Sequence, residues 1–161
     1  MSFSDLEKID ACEIPIGKLI TIISKGQSVF LNNSLKELDI NDSQLYILFE
    51  INRDSHINQE QISSRCNTDK GSVARSIKKL EDNGFIERTN DKHNRIQNII
   101  SLTKKGNETV SKSVEILNNL ENHLFDDEID KKILQNMLKD IAIKIMALNE
   151  KGVTINEFKK R

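Results

Sequence analysis

The sequence predicts a mainly α-helical protein with one small β-hairpin. Three observations lead there. Apolar residues recur at helical spacing through most of the 161 residues, and only one proline and six glycines interrupt them. From about residue 85 to residue 102 the period changes to two. Between 58 and 84 two short helical stretches flank a tight polar turn, the arrangement of a helix-turn-helix.

The elements follow in chain order. Ser4 and Glu7 have capping-box spacing, so a short helix starts near Asp5. Pro15 fits the first turn of the next helix. Leu19, Ile20, Ile23, Phe30 and Leu38 form one stripe there, with Ile22 and Val29 beside it, so that helix is expected to be buried on more than one side. Asn41 or Asp42 caps a helix carrying Leu45, Leu48, Phe49 and Ile51. Asn58 caps a short helix over 59–65 that buries Ile62, and Cys66 is expected to fill a small core position. Thr68 or Asp69 caps a helix over 70–83, which Gly84 ends at a position tolerant of positive φ. Phe85 to Arg88 forms one strand and Ile96 to Leu102 a second, with the polar run 90–95 between them. Thr103 caps a long helix bearing Val110, Val114, Leu117 and Leu124. A last helix begins at Asp126 and carries a wide stripe of Ile129, Ile133, Leu134, Met137, Leu138, Ile141, Ile145 and Leu148. Lys151-Gly152 is expected to end it, leaving a polar tail.

Composition excludes several classes. Apolar residues at 37% and charged residues at 30% provide a core and argue against a disordered chain. No apolar run approaches the ~18 residues that span a bilayer, and the N-terminus is polar and acidic, so a cytoplasmic protein without membrane contact is expected. Cys12 and Cys66 form no metal-ligand cluster. His56, His93 and His123 lie in separate elements, and no nucleophile motif or phosphate loop accompanies them. The expectation is therefore no enzyme, no metal and no cofactor.

Net charge is −1 overall, yet it is unevenly placed. The window 69–105 holds nine basic and five acidic residues, and the remainder of the chain is acidic. Within that window Val73, Ile77 and Leu80 make a core stripe on the helix over 70–83. Ser72, Arg75, Ser76 and Lys79 fall on the opposite face. Such a face suits a DNA major groove, where Arg75 can pair bidentately with guanine and the small serines let the backbone approach. Gly71 allows close approach near the helix N-terminus, and Lys70 reaches the phosphate backbone from the first turn. Lys92, His93 and Arg95 sit at the tip of the hairpin, where an arginine can enter a minor groove. Together these residues read as a DNA-binding helix-turn-helix followed by a wing.

The run from Asp69 to Arg88, with Ser101-Leu102-Thr103-Lys104-Lys105-Gly106 and the stretch from Leu38 to Leu48, resembles the MarR family of transcriptional regulators. Ile14-Pro15-Ile16-Gly17 is similar to archaeal members. The resemblance implies a winged helix-turn-helix domain plus N- and C-terminal dimerisation helices. The division would be 1–40 for N-terminal dimerisation and 41–102 for DNA binding. The helix-turn-helix would lie at about 58–83 and the wing at 85–102, with dimerisation helices and tail over 103–161. It implies a homodimer on a pseudo-palindromic double-stranded operator. One departure stands out: Asn94-Arg95-Ile96 replaces the family's more highly charged wing run, so the wing should add less electrostatic affinity.

The resemblance also implies a repressor released by a small aromatic or phenolic acid. Lys18, Lys25 and Arg88 are candidate cations for its carboxylate, and Tyr46 a candidate hydroxyl donor. Two alternatives stand beside this: a cysteine-based redox regulator using Cys12, and a winged-helix module that binds protein. The first lacks a tyrosine pair and places Glu13 next to the thiol.

Overall fold

Two helices start with the same sequence device. Asn41 and Gln44, and again Asn58 and Gln61, form reciprocal capping boxes, in which each asparagine side chain accepts from the glutamine backbone N–H at 2.9 and 3.0 Å. Each glutamine side chain accepts in return from its asparagine's N–H, at 3.0 and 2.9 Å. Two otherwise unsatisfied donors are met at each end, which fixes α3 (Asp42–Arg53) and α4 (Gln59–Arg65). The computed structural model describes residues 3–66, 68–90 and 98–150.

Within these, α1 (Phe3–Leu6) and α2 (Ile16–Ser34) precede α3. After α4 come α5 (Lys70–Asp82), β1 (Ile86–Asn90), β2 (Asn98–Leu102), α6 (Lys104–Leu124) and α7 (Glu128–Glu150). β1 and β2 form an antiparallel two-stranded sheet with Ile86 opposite Leu102 and Arg88 opposite Ile100. The mainly helical fold with a β-hairpin agrees with the sequence expectation.

The chain divides into two compact units, residues 1–116 and 117–161. The first has the core. Leu31 and Leu35 are buried there together with Leu45, Leu48 and Ile51 of α3, and Ile57, Ile62, Val73, Ile77, Leu80, Phe85 and Ile100 complete it. Side chains of this size contribute about 1.5–3 kcal/mol each when fully buried, so α5 is anchored by three of them. β2 has a second attachment: the Ile100 N–H donates to the Ile57 carbonyl at 3.0 Å, joining the hairpin to the segment before α4.

Three details differ from the sequence reading. The apolar stripe counted through Leu38 is not one helix. α2 stops at Ser34, a short 3-10 turn covers Lys36–Leu38, and Asp39 adopts φ 55°, which reverses the chain into α3. Phe85 precedes β1 rather than opening it, and its side chain is wholly buried. Cys66 is half-buried rather than a core residue, because it caps the end of α4 at the wall of a groove.

The junction into α6 is tight. Thr103 accepts the Gly106 N–H at 3.1 Å and donates to the Gly84 carbonyl at 2.7 Å. A Cβ at Gly106 would overlap the Phe85 carbonyl oxygen, so glycine permits the close approach. Lys105 donates to the Asn83 carbonyl at 2.9 Å and lies 4.0 Å over the Phe85 ring.

The second unit comprises the end of α6 and α7. Lys131 pairs with Glu121 at 2.9 Å, which raises its pKa. None of α7's residues is buried. No helix among the described residues is long and apolar enough to cross a membrane.

Candidate nucleic-acid interface

α5 is held at three points. Asp69 caps it, accepting the Ser72 N–H at 2.8 Å, and the Ser72 hydroxyl and N–H keep that carboxyl below its ordinary pKa. The preceding turn is closed by Ser63, whose hydroxyl donates to the Thr68 carbonyl at 2.7 Å. Gly84, at φ 71°, ends the helix in the left-handed conformation that glycine adopts freely.

Val73, Ile77 and Leu80 face the core, as the sequence spacing predicts. Arg75 and Lys79 are exposed, while Ser72 and Ser76 are half-buried beside them. The Arg75 guanidinium donates to the Ser72 hydroxyl at 2.8 Å, so these two functional candidates are already coupled. Gly71 is exposed, and a Cβ there would come within 3.2 Å of the Asp69 carboxylate. Lys70 lies in the first turn and pairs with Glu60 of α4 at 2.8 Å. The wing-tip candidates Lys92, His93 and Arg95 lie outside the described residues, as do Asn94 and Ile96.

A groove of about 760 Å³ runs along α3 and the N-terminal half of α5. Tyr46, Glu50, Arg65 and Cys66 line it together with Ser72 and Arg75. Arg65 is held by Asp54 at 2.8 Å and Glu50 at 3.6 Å, and its hydrogen bond lowers the Asp54 pKa. Burial, and then the Glu50 charge, pushes the Cys66 thiol pKa up, opposite to what a reactive thiolate needs. Of the four effector candidates, Tyr46 lines the groove. Lys18 and Lys25 are exposed on α2 and do not line it, and Arg88 is paired with Glu81 at 2.9 Å.

The sequence reading missed Glu60. Its pairing with Lys70 crosses ten positions and two helices, so no helical or strand period exposes it. It also missed Ser28 and Asn32 of α2. Asn32 accepts the Asp42 N–H at 3.1 Å, and the Ser28 hydroxyl donates to the Asp42 carboxylate, fastening α2 to the start of α3.

This arrangement matches known proteins. Residues 40–95 match the model of the MarR family. A crystal structure of MarR superimposes with a TM-score of 0.78 at 30% identity, covering 89% of this chain and 98% of that one. A transcriptional regulator, BilQ of Clostridium symbiosum, is 27% identical over 131 residues, which is 81% of this chain and 85% of BilQ. A mutant MarR from E. coli complexed with operator DNA shares the fold, with a TM-score of 0.70 and 23% identity over 80% of this chain and 94% of that one. The chain belongs to the MarR family of winged-helix, DNA-binding transcriptional regulators.

Proposed function

We propose that the chain acts as a homodimeric repressor of a pseudo-palindromic operator and is released by a small aromatic or phenolic acid. The observation that carries the DNA reading is α5: three buried apolar residues fix it, and Arg75, Lys79, Ser72 and Ser76 stand on its other side. Lys70 and Gly71 complete the surface that meets the major groove. Lys92, His93 and Arg95 supply a weaker second contact from the wing. Residues 41–102 form the DNA-binding part, and 1–40 and 103–161 serve dimerisation.

The homodimer is supported by apolar side chains that one copy leaves in water. On α2, Ile16 is 61% exposed and Val29 63%. On α7, Ile129, Ile133, Met137 and Met146 are all more than half exposed. A second copy would cover them and set two copies of α5 about one DNA turn apart, ~34–36 Å. Tyr46, at the wall of the α3–α5 groove, supports an effector site there. The other candidates, Arg88 and the two lysines of α2, do not line that groove.

The test is duplex binding by Arg75→Ala. A loss of about 1–3 kcal/mol, with relaxed specificity at one base position, is expected. Unchanged binding would remove α5 from the DNA interface and favour the protein-binding alternative.

A further inference from the structure

The surface assigned to DNA holds a carboxylate for which a polyanion has no use. Glu60 stands in the first turn of α4, and its Oε1 lies 2.8 Å from Lys70 Nζ in the first turn of α5. Both side chains are about three-quarters exposed, 76% and 75%, so the pair stands in solvent rather than in the core. Exposed pairs of this kind add little to folding stability, and the fold does not explain its presence. The helix-turn-helix already has its stabilising contacts: the Asn58–Gln61 capping box, the Ser63 bond across the turn, and buried Ile62 and Val73.

We propose that Glu60 is a brake on DNA affinity: by pairing with Lys70 it withdraws one cation from the phosphate-binding set of α5. The inference rests on the reading that α5 faces DNA. On a duplex the pair stays closed, so the lysine charge is cancelled by the carboxylate and releases no counterion. The brake acts on the charge-driven part of binding, which supplies essentially all sequence-independent affinity. It leaves untouched Arg75, whose partner on α5 is the Ser72 hydroxyl. The same arrangement recurs nearby, where Arg65 is held by Asp54 and Arg88 by Glu81. The winged domain thus shadows several of its cations with its own acids, in keeping with a net charge of −1 for the chain.

The test measures binding of the full chain to a random-sequence duplex at several salt concentrations. Glu60→Gln should steepen the slope of log affinity against log salt by about one. It should tighten binding roughly eightfold near 0.1 M salt, the factor for one added phosphate contact against a 1 M reference. Adding Lys70→Gln should return the slope to that of the unsubstituted chain, because the freed lysine is then absent. Both side chains are exposed, and a thermal melt confirms that each variant is folded. An unchanged slope in Glu60→Gln overturns the proposal. So does a gain of equal size in the Lys70→Gln background, since Glu60 would then act without its partner. The DNA reading fails separately, if the unsubstituted chain binds without salt dependence or Arg75→Ala has no effect.

Discussion

α5 and α7 are both amphipathic, and they end in opposite situations. α5 has three apolar residues on one stripe, and all three are buried within its own chain, at 1%, 0% and 0% exposure. α7 has a stripe of eight, and none is buried. The narrow stripe matches what neighbouring α3 and α4 can cover. The wide one stays exposed, as the proposed homodimer would explain. Under that proposal, a stripe's width separates helices positioned by tertiary contacts from helices positioned by assembly.

The sharpest way to break this contrast is on α7. If the chain forms the proposed dimer, Ile133→Glu combined with Met137→Glu should abolish it, read as a monomer in sedimentation velocity at concentrations where the unsubstituted chain sediments as a dimer. A variant that still sediments as a dimer would place the interface elsewhere. On α5 the corresponding change is Leu80→Ala. It should cost about 2–5 kcal/mol in urea unfolding, because the site is fully buried and closely packed.

Smaller effects refine the picture. Gly106→Ala should destabilise by about 1–3 kcal/mol through overlap with the Phe85 carbonyl. In an open helix the same change would instead be favourable by about 1 kcal/mol. Removing the α5 cap with Asp69→Ala should cost about 1 kcal/mol. The smallest effect concerns acid. Arg65 holds the Asp54 pKa below its ordinary value of 3.8, so this group stabilises the fold above that value. The contribution is lost as pH falls through the lowered value. Asp54→Asn should flatten the acid limb of a melting curve measured across that range.

Local signals made most of the helix boundaries legible. Asn41, Asn58, Asp69 and Gly84 act on backbone groups within four residues of themselves, so sequence spacing reveals them. The same locality misled at the end of α2. Leu38 keeps the helical period, but α2 ends at Ser34 beside buried Leu31 and Leu35, and Asp39 reverses the chain at φ 55°. On the candidate interface, α5's two faces followed from a period of 3.6. Partners across elements did not: Glu60 with Lys70, Arg65 with Asp54, and Asn32 with the start of α3 join positions ten or more apart. The groove is likewise a product of how α3 and α5 pack, and only Tyr46 among its walls had been singled out as an effector contact.

The bond from Ile100 to Ile57 has a consequence in time as well as in space. That amide hydrogen lies in the hairpin, yet its acceptor belongs to the segment before α4, and its side chain is 1% exposed. Solvent reaches it only when the hairpin lifts off the helices. Its deuterium uptake would therefore be a clock for opening of the whole winged domain, running more slowly than the fraying of strand ends.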